Sequence, residues 1–160
     1  MKGSLCKMRR EALGTAQNLK TSSEFELNED LLTMSDKSSF LLFDEIYGGK
    51  RALGFSSAEG KNILKSNEEF FLDGTFKSCP MQFKQVFTIH TDIGSSDEVT
   101  NVLPVAYLLL EDKTKSTYVK VFSTMKRLGW SPKKIKIDFE AALQEALDDV
   151  FPEADLSGCI

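Results

Sequence analysis

Cysteine is scarce in this chain: Cys6, Cys79 and Cys159 stand far apart in 160 residues and form no C-x-x-C pair. An odd, dispersed set argues against a disulfide framework and points to a reducing compartment. Long apolar runs are missing as well. The longest, Val102 to Leu110, covers nine residues and is interrupted by Pro104, far short of a bilayer-spanning helix, so no membrane role is expected. Met1 to Lys20 is basic and polar without an apolar centre, unlike a secretory signal. Neither sign of charge dominates: 20 basic residues face 24 acidic ones, for a net charge of −4. Bulk electrostatics therefore do not announce a nucleic-acid binder.

What remains is an ordinary globular composition, 41% apolar and 28% charged, with twelve Phe against one Trp and three Tyr. The length suits one domain with a real core and excludes a disordered chain. The charges are distributed unevenly. Between Glu111 and Lys136 lie eight basic residues, Lys126, Arg127, Lys133, Lys134 and Lys136 among them, against two acids. Between Asp138 and Asp155 there are seven acids and no base. Two solvated faces explain this pattern; so does a phosphate-contacting surface beside a carboxylate-lined site.

Residues 1–37 are rich in Ser, Thr, Asn and Glu without sustained periodicity. They read as a leader or linker, partly disordered, with a short helix near Leu5 to Leu19. Ser39 to Tyr47 and Arg51 to Phe55 flank Gly48-Gly49-Lys50 and predict a β-hairpin. Ser57 ahead of Ala58-Glu59 is a cap for a short helix over Ala58 to Lys65. Glu69 to Ser78 and Met81 to Asp92 predict two strands joined at Cys79-Pro80. In the second, Phe83, Gln85, Phe87 and Ile89 share a face. Val102 to Leu110 suits a strand covered on both faces. Thr114 to Leu128, ended by Gly129, carries Tyr118, Val121, Phe122 and Met125 at helical spacing. Lys133 to Asp138 is a short strand, and Phe139 to Val150 a second amphipathic helix that Pro152 stops. Ala154 to Ile160 begins another strand. Three consecutive antiparallel strands followed by helix, strand, helix and strand resemble the ribonuclease H-like arrangement, an α/β fold with a mixed sheet.

Two aspartates carry the candidate chemistry. Asp73 sits in the first of the three strands and Asp138 ends the fourth. If these strands are neighbours, backbones about 4.8 Å apart bring the carboxylates close enough to share metal. Hard oxygen donors suit Mg2+ or Mn2+, and such ions drive in-line phosphodiester displacement. Plainer alternatives stand beside this. Asp73-Gly74 could be a hairpin turn, and Asp138 could cap the following helix. His90, the only His, reads as a hydrogen-bonded structural residue, Trp130 and the Phe set as core, and Cys79 and Cys159 as buried thiols.

The motifs go further than the spacing. Phe71-Leu72-Asp73-Gly74-Thr75-Phe76, Cys79-Pro80 and Phe83 to His90 resemble the start of the transposase domain of Mutator-like elements (MULE). The similarity continues through Leu103 to Leu110, Lys113-Thr114 and Tyr118. It closes with Asp138-Phe139-Glu140-Ala141-Ala142, Val150-Phe151-Pro152 and Gly158-Cys159. With the lead-in Phe40 to Asp44 and Ala52 to Phe55, it covers about 38–160.

This resemblance implies a DDE-type transposase core of ribonuclease H-like fold, which cuts and joins DNA strands with divalent metal held by three acids. Asp73 matches the first acid and Asp138 the second, which makes both catalytic and metal-binding candidates with Mg2+ or Mn2+ as cofactor. The third acid, a Glu, and the His of a Cys-x-x-His motif starting at Cys159 are expected past Ile160, so residues 38–160 read as a partial domain. Glu140 is a poor substitute for the third acid. The partner implied is DNA, held through Lys126, Arg127, Lys133, Lys134 and Lys136, and the location implied is the nucleus. An inactive chain is expected, with self-association through the incomplete sheet. The alternative is a domesticated module that binds DNA or protein without catalysis.

Overall fold

The computed structural model describes residues 21–24, 26–27, 32–75, 79–97, 99–138 and 140–158. The helix expected at Leu5 to Leu19, the strand end at Phe76 to Ser78, Phe139, Cys6, Cys159 and Ile160 lie outside the described residues.

Turn chemistry builds the first pair of strands. Gly48 and Gly49 take φ of 57° and 82°, the left-handed conformation that a two-residue hairpin turn requires. They join β1 (Leu41–Tyr47) to β2 (Lys50–Phe55), and Lys50 pairs with Tyr47, so it belongs to the strand and not to the turn. Ser57 then caps α1 (Ala58–Ser66), its side chain accepting from the Gly60 N–H at 3.0 Å. Three strands follow: β3 (Glu69–Thr75), β4 (Gln85–Asp92) and β5 (Val102–Leu110). The last part alternates α2 (Lys115–Arg127), β6 (Lys134–Ile137), α3 (Ala141–Val150) and β7 (Asp155–Gly158).

These strands form one mixed seven-stranded sheet in the order β1-β2-β5-β4-β3-β6-β7. Pairing is antiparallel from β1 through to β3, and parallel for β3–β6 and β6–β7. The chain is therefore mixed α/β. One face of the sheet carries Ala52, Phe70, Leu72, Phe87, Ile89, Ala106, Leu108, Leu110, Ile135 and Ile137 into the main core. Leu64 of α1, Tyr118, Val121, Phe122 and Met125 of α2, and Leu143, Ala146 and Leu147 of α3 join the same cluster, so the three helices cover that face. Trp130 packs there against Phe70, Phe122 and Phe151 at ring separations of 5.6, 5.9 and 5.1 Å.

Two strand expectations need correction. β4 starts at Gln85, not Met81. The Phe83 N–H donates to the Pro80 carbonyl at 2.9 Å, which closes a turn and leaves Met81 97% exposed. β5 is not covered on both faces: Val102, Pro104 and Tyr107 are exposed while Val105, Ala106, Leu108 and Leu110 are buried. The reason is that β5 lies antiparallel between β2 and β4, and such sheets often leave one face to solvent. Near the hairpin that second face is partly shielded, since the 3-10 turn Ser22–Glu24 lies against β2 and Leu53 is fully buried.

The hairpin is tied into the helical layer by polar contacts. Tyr47 Oη lies 2.6 Å from Glu45 Oε2 and 2.7 Å from Thr124 Oγ1, and Arg127 donates to Glu45 at 2.7 Å. Burial, with the acceptor on Glu45, pushes the Tyr47 phenol up to about 12. No helix among the described residues is long and apolar enough to cross a membrane.

Candidate functional site

The alternation of β3 decides where Asp73 points. Phe70 and Leu72 are buried under the helices, so Asp73 emerges on the opposite, open face and is exposed. The parallel register pairs Phe70 with Ile135 and Leu72 with Ile137. Asp73 and Asp138 each follow the last of these pairs by one residue. They therefore stand at the same end of two adjacent strands, with a strand spacing of about 4.8 Å. Asp138 is exposed as well.

Both plainer explanations of the aspartates fall. Asp73 and Gly74 do not form a turn, because they lie inside β3 and pair with Thr88 and Phe87. Asp138 does not cap α3. Glu140 takes the cap position, makes no side-chain cap bond, and donates its N–H to the Asp138 carbonyl at 2.8 Å. Two hard carboxylates in this arrangement fit a divalent cation that keeps several of its waters, the habit of Mg2+. Among the described residues no group of three His, Cys, Asp or Glu side chains converges to hold a metal. Glu140 is turned elsewhere: its Oε1 accepts from the Tyr118 hydroxyl at 3.1 Å, and Lys113 Nζ stands 3.9 Å from Oε2.

That hydrogen bond belongs to a buried polar network absent from the sequence-based expectations. Gln85 Nε2 donates to Tyr118 Oη at 2.8 Å; Gln85 is 1% exposed and Tyr118 not at all. Burial pushes the Tyr118 phenol well above its ordinary value. A signal for it was present: Gln85 is the one polar residue on the face shared by Phe83, Phe87 and Ile89. Nearby, Asp112 accepts from Lys50 Nζ at 2.5 Å and from the Thr114 N–H at 3.2 Å. Burial opposes ionisation of Asp112, but the bonds from Lys50, Thr117 and Thr114 prevail and hold its carboxyl below the usual range.

The five basic candidates fall into two groups. Lys126 donates to the Val150 carbonyl at 2.7 Å and lies over the Phe151 ring, while Arg127 is paired with Glu45. Lys133, Lys134 and Lys136 follow β6 instead. Lys133 pairs with Glu68; Lys136 pairs with Glu69 at 2.8 Å and lies 4.8 Å from the Phe71 ring centroid. Lys134 and Lys136 alternate with the core residues Ile135 and Ile137, so they share the open face with Asp73.

Two minor expectations change. His90 makes no side-chain hydrogen bond among the described residues; it sits half-buried on the open face, in register with Phe71 and Pro104, where water can serve it. Cys79 is a half-buried free thiol whose ionisation burial disfavours. A cavity of about 200 Å3, walled by Leu41, Leu42, Leu64, Met125 and Trp130 among others, shares no residue with the aspartate pair. With Asp73 and Asp138 both exposed, the candidate site is an open surface at one end of the β3–β6 pair.

No curated protein sequence matches the chain. The profile of the MULE transposase domain does, over residues 70–160. That is more than half of the chain, starting in β3 and leaving the β1–β2 hairpin and α1 outside. On this match the chain belongs to the MULE transposase domain family.

Proposed function

We propose that residues from β3 onward form the larger part of a DDE-type, ribonuclease H-like transposase core. In it Asp73 and Asp138 hold Mg2+ or Mn2+ for cleavage and transfer of DNA strands. The observation that supports this reading is the parallel β3–β6 register, whose last pair, Leu72 with Ile137, directly precedes both aspartates. The order β5-β4-β3-β6-β7 supports the fold assignment: by appearance these are strands 3-2-1-4-5, the first three antiparallel.

Asp73 and Asp138 would hold the divalent metal, which when bound would supply activation of a water or 3′-hydroxyl and stabilisation of the leaving oxygen of a phosphodiester. The chain's own residues do the rest. Asp73 lies within β3, paired with Thr88 of β4 and directly after the last β3–β6 pair, so its backbone is held by regular sheet scaffold. Lys134 and Lys136, on the same face, meet the phosphate backbone of the substrate. The Lys136–Glu69 pair is exposed on both partners and such pairs contribute little, so a phosphate can displace the glutamate. A nuclear location is the expectation that the family resemblance carries.

Only two of the family's three acids are matched within these residues. Two acids hold a divalent cation less firmly than three, so weak metal binding and no DNA cleavage are the expected outcomes when residues 1–160 are assayed alone. The test is a Mn2+ titration followed by electron paramagnetic resonance, with supercoiled plasmid as the cleavage substrate. Wild type is expected to bind Mn2+ saturably and leave the plasmid intact, and Asp73→Asn and Asp138→Asn each to lose the binding. Unchanged Mn2+ binding in both variants would refute the site. Nicking that disappears in Asp73→Asn would refute the inactivity.

A further inference from the structure

The geometry points to Tyr118 and Glu140 as positioning residues that hold Asp138 in place for the cation. This rests on the reading of Asp73 and Asp138 as the cation's ligands. Four observations carry it.

A residue at a helix N-cap ordinarily turns its side chain onto the first free N–H groups of the helix. Glu140 occupies that position in α3 and makes no such bond. Its carboxylate reaches across to α2 instead and accepts from Tyr118 Oη at 3.1 Å. The phenol itself cannot swing away. Its ring is fully buried, stacked on Phe122 at 6.0 Å and 10°, with Phe87 at 6.0 Å.

The direction of the bonds follows from the donors. Gln85 Nε2 can only donate, so the Tyr118 oxygen accepts from it at 2.8 Å and its own proton goes to Glu140. Gln85 begins β4 and is 1% exposed, which anchors the network in the sheet. The last link is short: the Glu140 N–H donates to the Asp138 carbonyl at 2.8 Å. Fixing Glu140 therefore fixes the backbone that presents the Asp138 carboxylate. Mutating outer groups that orient metal ligands this way typically costs about 10–100-fold in metal affinity.

The experiment is the Mn2+ titration on the full 160-residue chain, with circular dichroism confirming that each variant is folded. Tyr118→Phe and Glu140→Ala are each expected to weaken Mn2+ binding by about tenfold, whereas Glu140→Gln, which keeps the acceptor, stays within about twofold of wild type. Glu140→Ala removes no cap bond and lies at a half-exposed position, so it remains informative if Tyr118→Phe fails to fold. Wild-type affinity in Glu140→Ala, with binding lost in Asp138→Asn, would overturn the positioning role and leave the cation site standing. A loss in Glu140→Gln as large as in Glu140→Ala would also overturn it, because charge and not the hydrogen bond would then be at work. Binding indifferent to both Asp73→Asn and Asp138→Asn would bring down the site itself and the positioning role with it.

Discussion

Gly60→Ala sets two physical effects against each other, and the packing around α1 decides the sign. Glycine within a helix costs about 1 kcal/mol relative to alanine, so propensity alone predicts stabilisation. Yet a Cβ on Gly60 would stand 2.5 Å from the Val105 carbonyl oxygen and 2.6 Å from Ser56 Oγ. Those two atoms are themselves hydrogen-bonded at 2.6 Å in the buried seam between α1 and β5. Val105 sits at the β-bulge of β5, between the Ala106 and Pro104 pairs with β4, and is 2% exposed within the core, so its carbonyl has little room to yield and the helix has to move. Overpacking of this kind costs about 1–3 kcal/mol, and a buried hydrogen bond left open about 1–3 kcal/mol more. After the propensity gain, the expected net loss is about 3 kcal/mol. With a slope of about 2 kcal/mol per molar urea, the midpoint falls by roughly 1.5 M. Asn62→Ala, at an exposed position of the same helix, is the control and should gain a few tenths of a kcal/mol. A Gly60→Ala midpoint at or above that of wild type would refute the seam as the controlling feature.

Two further outcomes follow from polar groups. Because the folded Asp112 carboxyl is held below its ordinary value of 3.8, its stabilisation is fully present above that pH and fades as pH falls below it. Asp112→Asn should lower stability at pH 7 by about 1–3 kcal/mol and flatten the decline of Tm below about pH 4; an unchanged acid slope would count against the assignment. Replacing Lys133, Lys134 and Lys136 with alanine should weaken DNA binding uniformly across sequences. The log–log salt slope should become shallower by about one unit for each phosphate no longer neutralised, measured by fluorescence anisotropy at low and at near-physiological salt. An unaltered slope would move the DNA surface elsewhere.

Local rules made much of the fold legible. Gly48-Gly49 announced the hairpin, Ser57 and Thr114 the helix starts, and the stripe of Tyr118, Val121, Phe122 and Met125 the core side of α2. Where expectation failed, a local backbone turn, an unseen layer or a non-local partner was responsible. Met81 to Lys84 keeps a strand-like alternation, yet the Pro80 carbonyl captures the Phe83 N–H and delays β4. An apolar run such as Val102 to Leu110 looks the same whether one face or two are covered, and only the placement of all three helices on one side exposes Tyr107. At the candidate site, Asp73 was legible as an acid within a strand and Asp138 as one at a strand end. That Glu140 takes the cap from Asp138 was not, because its reason lies in Tyr118, 22 positions earlier on another helix.

The placement of β5 has a consequence for the order in which the sheet can assemble. During synthesis the β1–β2 hairpin and the β3–β4 pair can each form locally, but nothing joins them until β5 has emerged. It then inserts between β2 and β4, pairing Ala52 with Leu110 and Ile89 with Ala106. Until that moment both halves present unsatisfied strand edges, the condition that favours misassembly. Closing loops of this length before any pairing is rewarded slows folding. β5 is thus the keystone of the sheet, and its arrival marks the earliest point at which the nascent chain can become cooperative.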